Sequence, residues 1–295
     1  MIHDLPNLLK ENISHGSRDY PIEYYICYVP QTFRDLPSHW HDEMEITWIR
    51  SGSVRYVIGN EVYTAGKDSL LFIAPNLLHS ASQITETTCE TRSIVFHLNL
   101  LGLDDTDRCA RKYIRPLQEG EAAPPRLLTP DEDGYSELLD CFQKLWQLQN
   151  KKAGEELLVK SLLYQLLYQL YKLPSQNAPA KAAEDSLKNT EKIKAVLTHI
   201  HEHYAEPMDI EHLAALCGFS QVHFMNIFKK ATGTSCMDYI INYRIGMASM
   251  ALKESYTPII DIAMNNGFQN ISYFNRAFHK RMGMTPSAFR KQFRV

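Results

Sequence analysis

The sequence predicts an α+β chain in two domains: an N-terminal β-barrel carrying a helical hairpin, then an all-α domain built on a duplicated unit. Three observations predict this. Residues 23–99 fall into short runs rich in Tyr, Ile, Val and Phe, separated by turn dipeptides, the texture of a sandwich or small barrel. After Pro130 the apolar residues recur at helical spacing. Beyond residue 187 one pattern of Ala, Gly and Phe is written twice.

Strands are expected at residues 24–29, 44–50, 53–58, 69–74 and 92–98, with turns at Ser51-Gly52, Gly59-Asn60, Ala65-Gly66 and Pro75-Asn76. Residues 135–149 and 155–173 fit two helices broken by residues 151–154. The second is apolar on more than one side, through Leu162, Leu163, Leu166, Leu167 and Leu170 together with Tyr164, Tyr168 and Tyr171. Such a helix is buried on the sheet or in a subunit interface, so a homodimer is expected through this hairpin. Residues 174–187 are small, polar and proline-punctuated, as linkers are. The expected organisation is residues 1–134 as the barrel, 135–173 as the hairpin, 174–187 as the linker and 188–295 as the helical domain.

The 295 residues carry 31 Lys+Arg and 34 Asp+Glu, a formal net charge of −3. That average hides a split: residues 186–295 hold 13 basic against 8 acidic, residues 1–185 hold 18 against 26. From residue 268 onward there are six basic residues (Arg276, Lys280, Arg281, Arg290, Lys291, Arg294) and no acid. A basic end on an acidic body fits a phosphate-facing module with a separate partner domain; on charge alone it equally fits a solvated helix face. The six cysteines form no CxxC pair, which argues against a zinc finger or disulfide framework. No apolar stretch approaches the roughly 20 residues that span a bilayer, and the first residues show no secretion signal. A cytoplasmic protein without a membrane partner is expected.

The repeat is the sharpest signal. Leu213-Ala214 and Gly218-Phe219 recur as Ile262-Ala263 and Gly267-Phe268, 49 residues on. One inserted residue later, Phe224, Phe228, Lys230, Gly233 and Ser235 recur as Phe274, Phe278, Lys280, Gly283 and Thr285, 50 residues on. Ala214 and Ala263 are small where two helices cross; Gly218 and Gly267 permit a left-handed turn; Phe219 and Phe268 plug the angle between helices. The phenylalanines at i, i+4 bury the inner face of the second helix. Asp209 and Ser220 suit helix caps, and Thr257-Pro258 and Thr285-Pro286 place a capping Thr before Pro at the first helical position. These are helix-turn-helix units, at residues 209–232 and 258–282. Residues 235–255 between them fit one helix of roughly 30 Å, near the spacing of about 34–36 Å between successive major-groove faces of a duplex. Two readers of different sequence in one chain imply an asymmetric site on double-stranded DNA.

Residues 258–290, with Ile262-Ala263, Gly267-Phe268, Ser272-Tyr273-Phe274, Arg276, Phe278, Gly283, Thr285-Pro286 and Phe289-Arg290, closely resemble the signature of the AraC/XylS family of bacterial transcription regulators. The resemblance covers about the last 100 residues. It implies seven helices, two helix-turn-helix units joined by a central helix, and sequence-specific promoter binding, usually for activation, with RNA polymerase as a further partner. Matched to that family, the exposed reading positions are Gln221, Val222, Met225 and Asn226 in the first unit and Asn270, Ser272, Tyr273 and Arg276 in the second. Arg276 suits guanine, and Asn226 or Gln221 suits adenine; Lys229, Lys230, Lys280 and Arg281 suit phosphates. Asn226 stands where the family's first unit often has Arg. For Arg276 a structural salt bridge is the competing reading, and for Tyr273 rim packing.

In the N-terminal part His39, His41 and Glu45 alternate onto one strand face, and a barrel brings His79 opposite them. This resembles the two short motifs of the cupin barrel, HxHxxxE and a later His around one metal. Phe33 stands where that motif begins with Gly, and Asn76 replaces a second Gly. Three imidazoles and a carboxylate suit zinc, nickel, manganese or iron; lining an effector pocket and filling the barrel mouth are the other readings. Trp40, Trp48, Arg55 and Tyr56 would suit a sugar, giving an effector set of His39, His41, Glu45, Trp48, Arg55 and His79. His199, His201 and His203 read as a solvated helix surface. The expectation is a ligand-responsive regulator and activator that is not an enzyme and requires no cofactor, with a divalent metal in the barrel as the one candidate. The rivals are a metal-dependent cupin enzyme fused to a DNA-binding domain, and a constitutive regulator with a non-sensing barrel.

Overall fold

The computed structural model describes residues 15–32, 35–59, 61–85, 87–102, 104, 106–122, 124–149, 152–173 and 180–293. The described residues form two compact units that part between Leu187 and Lys188.

The first unit contains strands β1 (Ile22–Val29), β2 (Asp35–His39), β3 (Met44–Ser51), β4 (Ser53–Ile58), β5 (Glu61–Gly66), β6 (Leu70–Ile73), β7 (His79–Gln83), β8 (Cys89–Phe96) and β9 (Leu127–Leu128). They pair antiparallel into two sheets, in the orders β1-β8-β3-β6-β9 and β2-β7-β4-β5. Of the sandwich or small barrel expected, the structure takes the form of an open two-sheet sandwich: among the described residues no ladder joins the two sheets. All five expected strands are present, as β1, β3, β4, β6 and β8. The short strands β2, β5 and β7 escaped the apolar criterion because DLPSH, EVYTAG and HSASQ are largely polar or small.

Alternation decides what each strand offers. Between the sheets pack Val29, Ile49, Val54, Tyr56, Ile58, Ala65, Leu71, Ile73, Ala81 and Cys89. The opposite face of the five-stranded sheet presents Ile22, Met44, Ile46, Trp48, Leu70, Phe72, Ile94 and Phe96 to the helices. Those are a turn of π-helix (Ala110–Ile114) running into α1 (Arg115–Gln118), then the hairpin α2 (Tyr135–Gln147) and α3 (Glu155–Lys172). In α2 the buried residues are Tyr135, Leu138, Cys141, Phe142 and Leu145, one amphipathic stripe. In α3, Val159, Leu162, Leu163, Leu166, Leu167 and Leu170 are buried. Its remaining apolar side, Leu157, Tyr164, Tyr168 and Tyr171, is exposed.

The second unit consists of α4 (Ala180–His203), α5 (Ile210–Leu216), α6 (Gln221–Thr232), α7 (Cys236–Glu254), α8 (Ile259–Asn265), α9 (Ile271–Met282) and α10 (Pro286–Phe293). These are the seven helices the resemblance implied. α4 begins at Ala180, so half of the segment read as a linker is helical; Ala182, Ala183 and Glu184 are strong helix formers that outweigh the polar composition. The two turns repeat in detail. Phe219 N–H donates to Ala214 O at 3.0 Å and Phe268 N–H to Ala263 O at 3.0 Å. The Phe224–Phe228 and Phe274–Phe278 ring pairs both lie 5.5 Å apart. Asp209, Ser220 and Thr285 accept hydrogen bonds from first-turn N–H groups as expected. Thr257 does not: α8 starts one residue later, capped by Pro258, whose extended ψ of 141° holds it outside the helix, and the Thr257 carbonyl accepts from Arg290 Nη2 instead, at 2.6 Å.

Candidate ligand site and nucleic-acid interface

His39, His41, Glu45 and His79 do come together, by a route other than strand alternation. His39 ends β2 in the four-stranded sheet and pairs across the ladder with His79 on β7. Glu45 belongs to β3 in the other sheet, and His41 lies on the segment that crosses between them. All three imidazoles are buried. Each holds Nδ1 against a main-chain carbonyl: His39 to Pro37 O at 2.9 Å, His41 to Glu43 O at 3.1 Å and His79 to Leu77 O at 2.8 Å. A carbonyl only accepts, so Nδ1 is the protonated nitrogen of each ring and Nε2 is the atom turned away from the main chain.

One ligand atom from each of His39, His41 and His79 lies within 4.8 Å of the others. Nε2 of His41 and of His79 each stand 3.5 Å from Glu45 Oε2. Burial by itself would raise the Glu45 carboxyl, but the neighbouring His41 and His79 imidazoles outweigh it and hold it well below its usual range. Its other oxygen accepts from Thr47 Oγ1 at 2.7 Å, and Thr47 in turn meets Ser93 Oγ at 2.7 Å. Burial, reinforced by Glu45, pushes the Tyr56 hydroxyl well above its usual value. Among the described residues His79 Nε2 has no hydrogen-bond partner. Three oriented imidazoles, one largely buried carboxylate and outer partners that fix each ligand's direction are a donor set that fits a divalent transition metal.

Two residues expected beside them lie elsewhere. Trp48 occupies the opposite face of β3, where its ring packs on Phe142 at 6.1 Å. Arg55 is exposed on the outer face of β4, alternating with the inward Val54 and Tyr56. Both were placed by proximity in sequence, which cannot say which strand face looks between the sheets. Trp40, by contrast, is buried next to the histidines in sequence.

In the second unit Gln221, Val222, Met225, Asn226, Lys229 and Lys230 are all exposed on α6, and Ser272, Tyr273, Arg276 and Lys280 on α9. Val222 and Met225 are large apolar side chains left 66% and 45% exposed, as a surface that meets base edges and thymine methyls requires. Among the described residues Arg276 has no ion-pair partner. Asn270 is different: its Oδ1 accepts from Tyr273 N–H at 3.0 Å and caps α9, as Ser220 caps α6. Its carbonyl is thus committed to the helix rather than to a base. Arg281 is half-buried.

Arg244 on α7 is a key residue that sequence reasoning missed. Its guanidinium donates to Tyr204 O at 2.6 Å, Glu206 O at 2.7 Å and Gly267 O at 2.9 Å, tying the end of α4 and the turn of the second unit to the central helix. Its signal is a lone Arg inside a helix otherwise rich in apolar residues. His201 is not part of a solvated surface: it stacks on Tyr243 with centroids 3.9 Å apart, and its Nε2 meets Tyr239 Oη at 3.0 Å. α7 supplies both rings, which a reading of α4 alone cannot foresee.

Residues 22–167 match the family model of the AraC-like ligand binding domain, and residues 197–292 match that of a helix-turn-helix domain. The HTH-type transcriptional regulator YdeC of Bacillus subtilis (strain 168) is 24% identical over 286 residues, 96% of each chain. The right origin-binding protein of Escherichia coli (strain K12) is 32% identical over 99 residues, 34% of each chain. Among solved structures, ToxT from Vibrio cholerae is 15% identical, with a TM-score of 0.41 over 93% of this chain and 98% of its own. With both its units matched in this order, the chain belongs to the AraC family of transcription regulators, an AraC-like ligand-binding domain followed by a helix-turn-helix DNA-binding domain.

Proposed function

We propose that this regulator reads an asymmetric promoter site through α6 and α9, and that the state of the site formed by His39, His41, Glu45 and His79 sets how it does so. The observation that carries the reading is the convergence of one ligand nitrogen from each of three buried imidazoles whose Nδ1 partners are all main-chain carbonyls. With Trp48 and Arg55 facing elsewhere, Trp40 and Tyr56 are what is left of the groups that suited a sugar, and the nitrogen and carboxylate donors predominate. Those four residues would hold zinc, nickel, manganese or iron. A metal bound there supplies positive charge and a Lewis-acid position for an effector's donor atom. The protein's part is to orient the imidazoles, keep Glu45 ionised and exclude water. The site binds and does not turn over, so no catalytic residue is assigned.

Gln221, Val222, Met225 and Asn226 read bases in one groove, and Ser272, Tyr273 and Arg276 in the next. Lys229, Lys230 and Lys280 meet phosphates and set register. α7, 19 residues long and so about 28 Å, spaces the two readers. The exposed Leu157, Tyr164, Tyr168 and Tyr171 stripe of α3 forms a homodimer, in which the partner's copy covers apolar surface left open here. The regulator works in the cytoplasm as an activator that contacts RNA polymerase. Occupancy changes transcription only to the extent that the ligand prefers one arrangement of the protein.

Metal analysis of the purified full-length chain, with footprinting before and after chelation, tests the reading. The expected result is about one equivalent of metal, lost in His39→Ala, and a change in promoter affinity of at least about tenfold, near 1.4 kcal/mol. A chain that takes up no metal refutes it. Sedimentation of Tyr168→Glu tests the dimer: a monomer is expected at concentrations where the parent is dimeric, and an unchanged dimer excludes this face.

A further inference from the structure

Of the three imidazoles, His41 is the least restrained by the sheets. His39 and His79 sit opposite each other in a ladder, whereas His41 lies on the connection between β2 and β3, its main chain held by Asn76 N–H to its carbonyl at 2.8 Å. Its Nδ1 contact is also the longest of the three, at 3.1 Å. Against its ring stand His79, with centroids 5.0 Å apart, and, from outside the ligand group, His15. That side chain is 4% exposed, meets the His41 ring edge-on at 5.3 Å, and brings Nδ1 within 2.8 Å of Tyr25 Oη on β1. Tyr25 presents its own ring edge to it at 5.6 Å.

The chain after His15 is built to deliver it. Gly16 has φ +87°, and a Cβ there would stand 2.5 Å from Tyr20 O and 2.7 Å from Ile22 N. Ser17 and Tyr20 exchange main-chain hydrogen bonds at 3.2 Å in both directions, and Ile22 N–H donates to Tyr20 O at 3.0 Å. A turn this tight leads straight into β1 and leaves His15 little freedom.

We propose that His15 is a positioning residue of the histidine site: oriented by the Tyr25 hydroxyl, it packs against His41 and holds that imidazole in its ligating direction. It lies outside the group of His39, His41 and His79 whose ligand atoms converge, so it acts through His41 and not on the metal. Fixing a ligand's orientation from outside is worth about 10–100-fold in metal affinity in other sites. The inference rests on the metal reading above and adds a residue that no motif in the sequence marks.

The test uses the full chain with cobalt(II) as the probe, read by its visible d–d absorption, its stoichiometry and its rate of loss to excess chelator. His15→Ala is expected to keep one equivalent, shift the d–d bands and release cobalt at least about tenfold faster. Tyr25→Phe, which keeps the ring and leaves the packing filled, is expected to act in the same direction more weakly, and it decides the matter should His15→Ala fail to fold. A His15→Ala chain with the parent's spectrum and release rate overturns this inference while leaving the metal reading intact. A parent that binds no cobalt overturns both.

Discussion

Gly218 and Gly267 occupy equivalent turns of the repeat, and the structure separates them sharply. Both are left-handed, with φ +66° and +81°. Ala in that conformation costs about 1–2 kcal/mol. At Gly218 a Cβ meets nothing within 4 Å, so Gly218→Ala should cost only that. At Gly267 the Cβ would stand 2.8 Å from Arg244 Nε and 2.9 Å from Ala205 O. Relief requires moving the guanidinium that holds Tyr204, Glu206 and Gly267. Losing one such charge-assisted bond adds about 1.5–3 kcal/mol, so Gly267→Ala should cost about 2.5–5 kcal/mol in all. Urea unfolding of the full chain measures it. All three tryptophans, Trp40, Trp48 and Trp146, lie in the first unit. Tryptophan fluorescence therefore follows that unit, and the far-UV circular dichroism change it does not mirror reports the helical one. Two variants equal to within about 0.5 kcal/mol would refute the steric argument.

Arg276→Ala should lose about 1–3 kcal/mol of discrimination at one base pair, whereas Lys280→Ala should weaken all sequences alike and lower the salt slope by about 1; footprinting across a salt series separates the two, and an unchanged sequence preference in Arg276→Ala sinks its assignment. Asn270→Ala should destabilise the helical unit by about 0.5–2 kcal/mol through loss of the α9 cap, with Asn270→Ser close to the parent; a base-reading role instead predicts loss of specificity in both. Burial pushes the His201 imidazole down to about 3 from 6.5. Between those values the unfolded chain binds a proton that the folded chain does not, so stability is lost as pH falls through about 6.5 toward 3. His201→Phe should remove about 1–2 kcal/mol of the loss between pH 7 and 5, read from urea midpoints at the two values.

What was legible in the sequence followed how local its cause is. The helix-turn-helix units announce themselves because each needs a small residue, a left-handed glycine and paired phenylalanines within about twenty residues, and the chain writes that list twice. The hairpin was legible for the same reason, since Leu138, Phe142 and Leu145 recur within one helix. The histidine site was legible as a composition and not as a geometry. His39 and Glu45 were assigned to one strand, yet the chain changes sheets between them, and what makes them neighbours is the stacking of two sheets. The same non-local cause misplaced Trp48 and Arg55, whose strand faces are fixed by which sheet lies opposite. It also concealed Arg244 and His201, whose partners come from other helices.

The charge count also changes meaning once side chains are placed. Six basic residues without an acid in the last 28 positions would by formal charge give the second helix-turn-helix most of the salt-dependent grip. Arg290 is instead half-buried and donates to Thr257 O, Arg281 is half-buried, and Arg294 lies outside the described residues. Arg276, Lys280 and Lys291 remain exposed there. The first helix-turn-helix exposes Lys229 and Lys230 at the end of α6, and Lys280 occupies the place on α9 that Lys230 occupies on α6. The excess that the sequence assigned to one unit is partly spent on holding α10 to the turn before α8. Because each released counterion contributes similarly to the salt slope whichever helix-turn-helix releases it, under the proposed function the two are expected to share non-specific binding more evenly than their formal charges state. On that reading their difference lies in what would meet the bases: Arg276 in one, and the neutral set Gln221, Val222, Met225 and Asn226 in the other.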